Sequence, residues 1–164
     1  MRIEKQVDIQ APPERVFAFL ADSENMPQWQ TALDQVEQVS PGAPCKGTSY
    51  RFASSDPPLE STIEWVEFDE NRKLAWHGPP ARVGPGSIQF TGSHTLEPLD
   101  GGGTRLRSIF ETKFGGVLKA IGPLRGRLIA KEIEDDLRRL KSLLERASAS
   151  FVLLFQDFPL PAFG

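Results

Sequence analysis

The chain is poor in the residues that build metal cages, disulfides and nucleophilic centres. One cysteine, Cys45, and two histidines, His77 and His94, stand among its 164 residues. A lone cysteine excludes an intrachain disulfide and any cysteine-based zinc cage. Neither an HxxxH nor a CxxC spacing occurs, so no metal is expected. A phosphate-cradling glycine loop and a GxSxG elbow are missing too, and no cofactor is expected. A basic surplus is also lacking: 19 Lys and Arg against 22 Asp and Glu give a net charge of -3, which argues against nucleic acid as a partner. No apolar run approaches the roughly 18 residues of a spanning helix, so stable membrane insertion is not expected. The opening MRIEKQVDI lacks the apolar stretch of a secretory signal and predicts a cytoplasmic location.

What is present is an ordinary globular composition, 39% hydrophobic and 25% charged, with length for one domain. Glycine and proline, 14 each, fall at separate points along the chain and punctuate many short elements. Ile3, Lys5, Val7 and Ile9 alternate with Glu4, Gln6 and Asp8, the period-2 pattern of a half-buried strand. Pro12-Pro13-Glu14 then opens a helix carrying Val16, Phe17 and Leu20 that ends near Asp22. Ser23 is placed to cap a second short helix through Trp29, with Glu24 in its first turn. Six strands are predicted at 33–39, 46–54, 59–69, 72–77, 86–97 and 104–114. With little helix signal between them they are antiparallel hairpins, and Asp100-Gly101-Gly102-Gly103 is the strongest turn. Beyond Gly115-Gly116, an apolar stripe of Val117, Ile121, Leu124, Leu128, Ile133, Leu137, Leu140 and Leu144 predicts a long helix, kinked at Gly122-Pro123. A lone amphipathic helix beside a sheet buries its stripe against that sheet. The fold class is therefore α+β: a curved antiparallel sheet of about seven strands wrapped on the long C-terminal helix.

Three segments in this order carry a family likeness. IEKQVDIQAPPERVFAFLADSENMPQW resembles the start of SRPBCC proteins, which include START-type lipid carriers, polyketide cyclase/dehydrase-like proteins and pollen-allergen-like binders. GSHTLEPLDGGGTRLRSIFE is similar to their last strand pair, and DDLRRLKSLLE to the end of their long helix. The resemblance implies the helix-grip fold and a cavity between sheet and helix for a small hydrophobic or amphipathic molecule: a lipid, a polyketide or a quinone-like compound. It does not fix function, because one fold hosts many activities.

Strand alternation names a candidate wall of Tyr50, Phe52, Trp76, Phe90, His94, Ser108 and Phe110, with Trp29 as a plug near the mouth. Each aromatic has a plain core role as its alternative. His94 is the sharpest polar candidate, as a hydrogen-bond partner or as an acid or base; a satisfied half-buried histidine is the alternative. The strand at 59–69 has two competing faces, Thr62, Glu64, Val66, Phe68 against Ser61, Ile63, Trp65, Glu67, which a bulge would reconcile. If Glu64 faces inward it is a second catalytic candidate; if outward, a surface charge. His77 reads as exposed. Arg82 guards the entrance on the 78–86 loop or is simply solvated.

Residues 1–147 make the ligand-binding domain, and 148–164 an apolar tail. Ala-Ser-Ala-Ser there is expected to relax the helix before Phe151 and the following apolar residues. So apolar a segment needs cover, on its own domain or on a neighbouring subunit of a homodimer; its shortage of basic residues argues against a membrane. The leading function is binding or carrying a small hydrophobic molecule. The alternatives are a polyketide cyclase/dehydratase-like enzyme working through His94 and Glu64, and a partner-binding module acting through the tail or the sheet surface.

Overall fold

The computed structural model describes residues 1–56 and 58–156, and for residues 121–123 and 147–156 the backbone alone. Strand β1 (Arg2–Ile9) leads into helix α1 (Pro13–Ala21), whose proline sits at the helix start, where no intrahelical bond is lost. Val16, Phe17, Leu20 and Ala21 form its buried side. A 3-10 turn (Ser23–Gln28) follows. Its cap is Asp22, whose carboxylate accepts from the Glu24 N–H at 3.1 Å, and not Ser23 as the sequence suggested. Ser23 is fully buried one position later, its hydroxyl without a hydrogen-bond partner among the described residues.

Strands β2 (Gln35–Gln38), β3 (Ser49–Ser55), β4 (Pro58–Asp69), β5 (Lys73–His77), β6 (Ala81–Val83), β7 (Gly86–Pro98) and β8 (Thr104–Gly116) complete one antiparallel sheet. Its order is β1-β8-β7-β5-β4-β3-β2, with β6 paired to β7. Strand β6 lies inside the stretch the sequence suggested was loop; three residues between turns give periodicity nothing to detect. At the β7–β8 turn Gly101 and Gly102 take φ of 94° and 91°, a region that side chains disfavour, and the Leu99 N–H reaches the Gly103 carbonyl at 2.8 Å.

Strand β4 resolves its own ambiguity with a register shift between Trp65 and Glu67. One extra residue turns the strand over. Ile63 and Trp65 are therefore buried before the bulge, and Phe68 turns inward after it, its ring 5.1 Å from that of Phe17.

After β8 the chain forms a short helix α2 (Leu118–Ile121), a 3-10 turn (Gly122–Arg125) and the long helix α3 (Gly126–Gln156). The expected break falls where Pro123 removes a backbone donor. Helix α3 packs over β1 and buries Leu137, Leu140 and Leu144. Ile133 of the expected stripe is half-buried against the core, whereas Val117, Leu124 and Leu128 are exposed. Helical backbone also runs through 147–150, because alanine favours a helix more than the two serines oppose it. The apolar tail beyond Gln156, with its expected docking, lies outside the described residues.

Candidate functional site

The antiparallel register sets two rows of side chains across the inner face of the sheet. The first runs Trp65, Trp76, Gly92, Phe110, Ile3, and the second Phe68, Leu74, His94, Ser108, Lys5. In the first row Gly92 leaves the space over which the Trp76 indole lies. A Cβ built there would stand 2.3 Å from Trp76 Cζ2 and 2.4 Å from the Ile109 carbonyl oxygen. Gly92→Ala should therefore cost about 1–3 kcal/mol in urea unfolding and disturb the tryptophan near-ultraviolet dichroism. An unchanged spectrum and midpoint would show that Trp76 is not held there.

Around this gap the aromatic rings form one cluster. Trp76 lies 4.8 Å from His94, 5.6 Å from Phe110 and 6.1 Å from Trp65 by ring centroids. Phe110 and Trp29 stand 5.9 and 6.1 Å from His94. Phe52 meets Phe90 at 6.1 Å, and Tyr50 meets Trp65 at 6.4 Å. Of the proposed wall residues, Trp29, Tyr50, Phe52, Trp76, His94 and Ser108 are buried, while Phe90 and Phe110 are half-buried. Trp29 is only 1% exposed and lies against His94. The buried Asp136 of α3 holds the neighbouring segment, accepting from the Thr31 N–H at 3.2 Å and hydroxyl at 3.0 Å. Burial pushes that carboxyl up, and the Thr31 bonds act against the shift.

His94 is sealed among these rings, and desolvation pushes its pKa down to about 3, so it is a neutral imidazole at physiological pH. Nδ1 lies 2.8 Å from the fully buried Ser108 Oγ. No hydrogen bond is made to Nε2 among the described residues, which leaves that ring atom for another partner. Beside Ser108 stands Lys5, whose ammonium donates to Glu134 of α3 at 2.8 Å. Hydrogen bonding to Lys5 lowers the Glu134 pKa, and Arg138 adds to the effect. The Lys5–Glu134 pair ties sheet to helix at the edge of the polar row. Sequence reasoning did not single it out, although Lys5 sharing a face with Ile3, Val7 and Ile9 was the visible sign.

Glu64 is not part of this cluster. It is exposed on the outer face, opposite His77, and does not join His94. His77 is exposed as expected and meets Gln89 Nε2 at 3.0 Å; Arg82 is exposed on β6. Two surface clefts, of about 290 and 610 Å³, also lie elsewhere. One is lined by Glu64, His77 and neighbours, the other by Glu14, Asp69, Arg72 and Glu97 among others. Among the described residues no group of three or more His, Cys, Asp or Glu is placed to hold a metal.

The inner face thus has two ends. Toward α1 it is solidly packed by Leu20, Leu74, Leu96, Leu106 and Leu140. Toward β6 and α2 the inward residues Ile88, Phe90, Phe110 and Phe114 are only half-buried, as are Ile129 and Ile133 of α3. The polar pair His94–Ser108 lies where the one end gives way to the other.

An antiparallel sheet gripping one long terminal helix defines the helix-grip class. The polyketide cyclase / dehydrase and lipid transport family model matches residues 1–145, and the chain belongs to that family. The fold is shared with the Zhui aromatase/cyclase of a Streptomyces species, at a TM-score of 0.73 and 16% identity over 89% of this chain and 94% of that one. A START superfamily protein from Mycobacterium smegmatis is similar at 0.72 and 15%, over 89% and 98%. A protein from Geobacillus kaustophilus gives 0.73 and 15%, over 90% and 97%. No curated protein matches the chain. No helix among the described residues is long and apolar enough to cross a membrane.

Proposed function

We propose that this protein binds or carries a small hydrophobic or amphipathic molecule between the sheet and α3. One observation carries the reading: the inner face changes from a packed core to half-buried aromatics at the point where a neutral, half-satisfied histidine sits. An apolar ligand body would lie against Phe90, Phe110 and Ile133, and a carbonyl or hydroxyl group would meet His94 Nε2. Apolar walls with a few fixed polar atoms are the usual build of such sites.

An enzyme of the cyclase or dehydratase kind is the second reading, favoured by the same histidine. The geometry weighs against it as the first choice. A base with a pKa near 3 accepts protons poorly at neutral pH, and Glu64 points away.

Native mass spectrometry of freshly purified protein should show a co-purifying apolar molecule, or added polyaromatic ligands should quench tryptophan fluorescence. Phe110→Ala should weaken that binding about tenfold through lost aromatic contact. His94→Gln should cost a carrier only a few-fold in affinity, whereas it would abolish turnover by an enzyme. An empty protein that none of the titrated ligands quenches would end both readings.

A further inference from the structure

The stretch 117–131, spanning α2, the 3-10 turn and the start of α3, is unlike the rest of the surface. Five large apolar residues are strongly exposed among the described residues, and three are here: Val117 at 51%, Leu124 at 82% and Leu128 at 49%. Lys119, Arg125, Arg127 and Lys131 surround them, all exposed. No Asp or Glu occurs between Glu111 and Glu132. None of these four cations has an ion pair among the described residues. Arg2, Lys5, Arg51, Lys73, Arg105 and Arg138, by contrast, each lie within reach of a carboxylate. Uncovered leucines beside unpaired cations add nothing to the fold, so their use lies outside the molecule.

We propose that 117–131 docks reversibly on the surface of an anionic lipid bilayer. Leucines that protrude among cations suit a headgroup layer, where the charges meet anionic lipid and the side chains reach hydrocarbon. A second copy fits worse, because face to face it would set cation against cation across the two-fold axis. Docking would bring the half-buried end of the inner face to the lipid, since α2 packs against β7 and β8. The proposal does not depend on the ligand-binding reading, because vesicle association is measured without ligand.

The test is flotation of the full chain with phosphatidylcholine vesicles, with and without phosphatidylserine. Binding is expected only with phosphatidylserine and should weaken as salt rises. Arg125→Gln with Arg127→Gln should lower partitioning about 25-fold, at roughly fivefold per cation near an anionic surface. Leu124→Ser with Leu128→Ser should lower it about tenfold per leucine. Because these residues are exposed, both variants should keep the wild-type melting temperature, which checks the fold. Several results would overturn the proposal: no binding to either vesicle, equal binding to both, binding that either variant leaves intact, or a dimer in sedimentation that the leucine variant dissociates.

Discussion

Trp65→Ala should remove about 3–5 kcal/mol of stability, read as a lower urea midpoint at unchanged slope. Two losses combine. The side chain is 1% exposed and packs edge-on to Trp76 at 6.1 Å and Tyr50 at 6.4 Å, so truncation opens a cavity between rigid neighbours. Its indole N–H also donates to the Ala21 carbonyl at 3.2 Å, an acceptor it shares with the Tyr50 hydroxyl at the same distance. That carbonyl ends α1, so the two strands β3 and β4 hold the helix end by one oxygen. Trp65→Phe separates the terms: most of the packing remains while the indole bond is lost, for about 1–2 kcal/mol. If Trp65→Ala cost no more than Trp65→Phe, the packing account would be wrong.

The same residue shows what sequence pattern can and cannot reach. Alternation was enough for β3, β7 and β8, because each strand keeps one face to the core along its length. In β4 two patterns compete, and only the bulge after Trp65 lets Ile63, Trp65 and Phe68 all turn inward. Glu64, which alternates with the buried Ile63 and Trp65 ahead of the bulge, stays outside, which removes the one carboxylate offered as a partner for His94. The α3 stripe misled for a different reason. Helical spacing says which residues share a face, but not how far along the helix the sheet extends, so Leu124 and Leu137 read alike although one is exposed and one buried. His94 was legible because it falls in register with Ile88, Phe90 and Leu96. Its seal was not, since Trp29 comes from a distant turn and Ser108 from the next strand.

That seal has a consequence in acid. His94 has an ordinary pKa of 6.5 that burial lowers to about 3 in the folded chain. Below the unfolded value the unfolded chain binds a proton that the folded one refuses, so stability falls as pH drops from 6.5 toward 3. The slope approaches about 1.4 kcal/mol per pH unit, which makes roughly 3 kcal/mol lost by about pH 4. Carboxylates such as Asp8 and Glu134, held low by Arg105 and Lys5, lose their own contributions at still lower pH. His94→Gln cancels those common terms: it keeps an amide in reach of Ser108 and has no proton to refuse. The difference in urea-derived stability between wild type and His94→Gln should therefore be constant above about pH 7 and shift by about 3 kcal/mol against wild type on acidification. A difference that stays flat to about pH 4 would mean water reaches the imidazole, and with it that His94 sits in an open, hydrated site. A steep difference would place a neutral imidazole, with one nitrogen unspoken for, at the deep end of the proposed binding face. Any hydrogen bond it makes to a ligand would then be insensitive to pH across the neutral range, as suits a site that binds by shape and polarity more than by proton transfer.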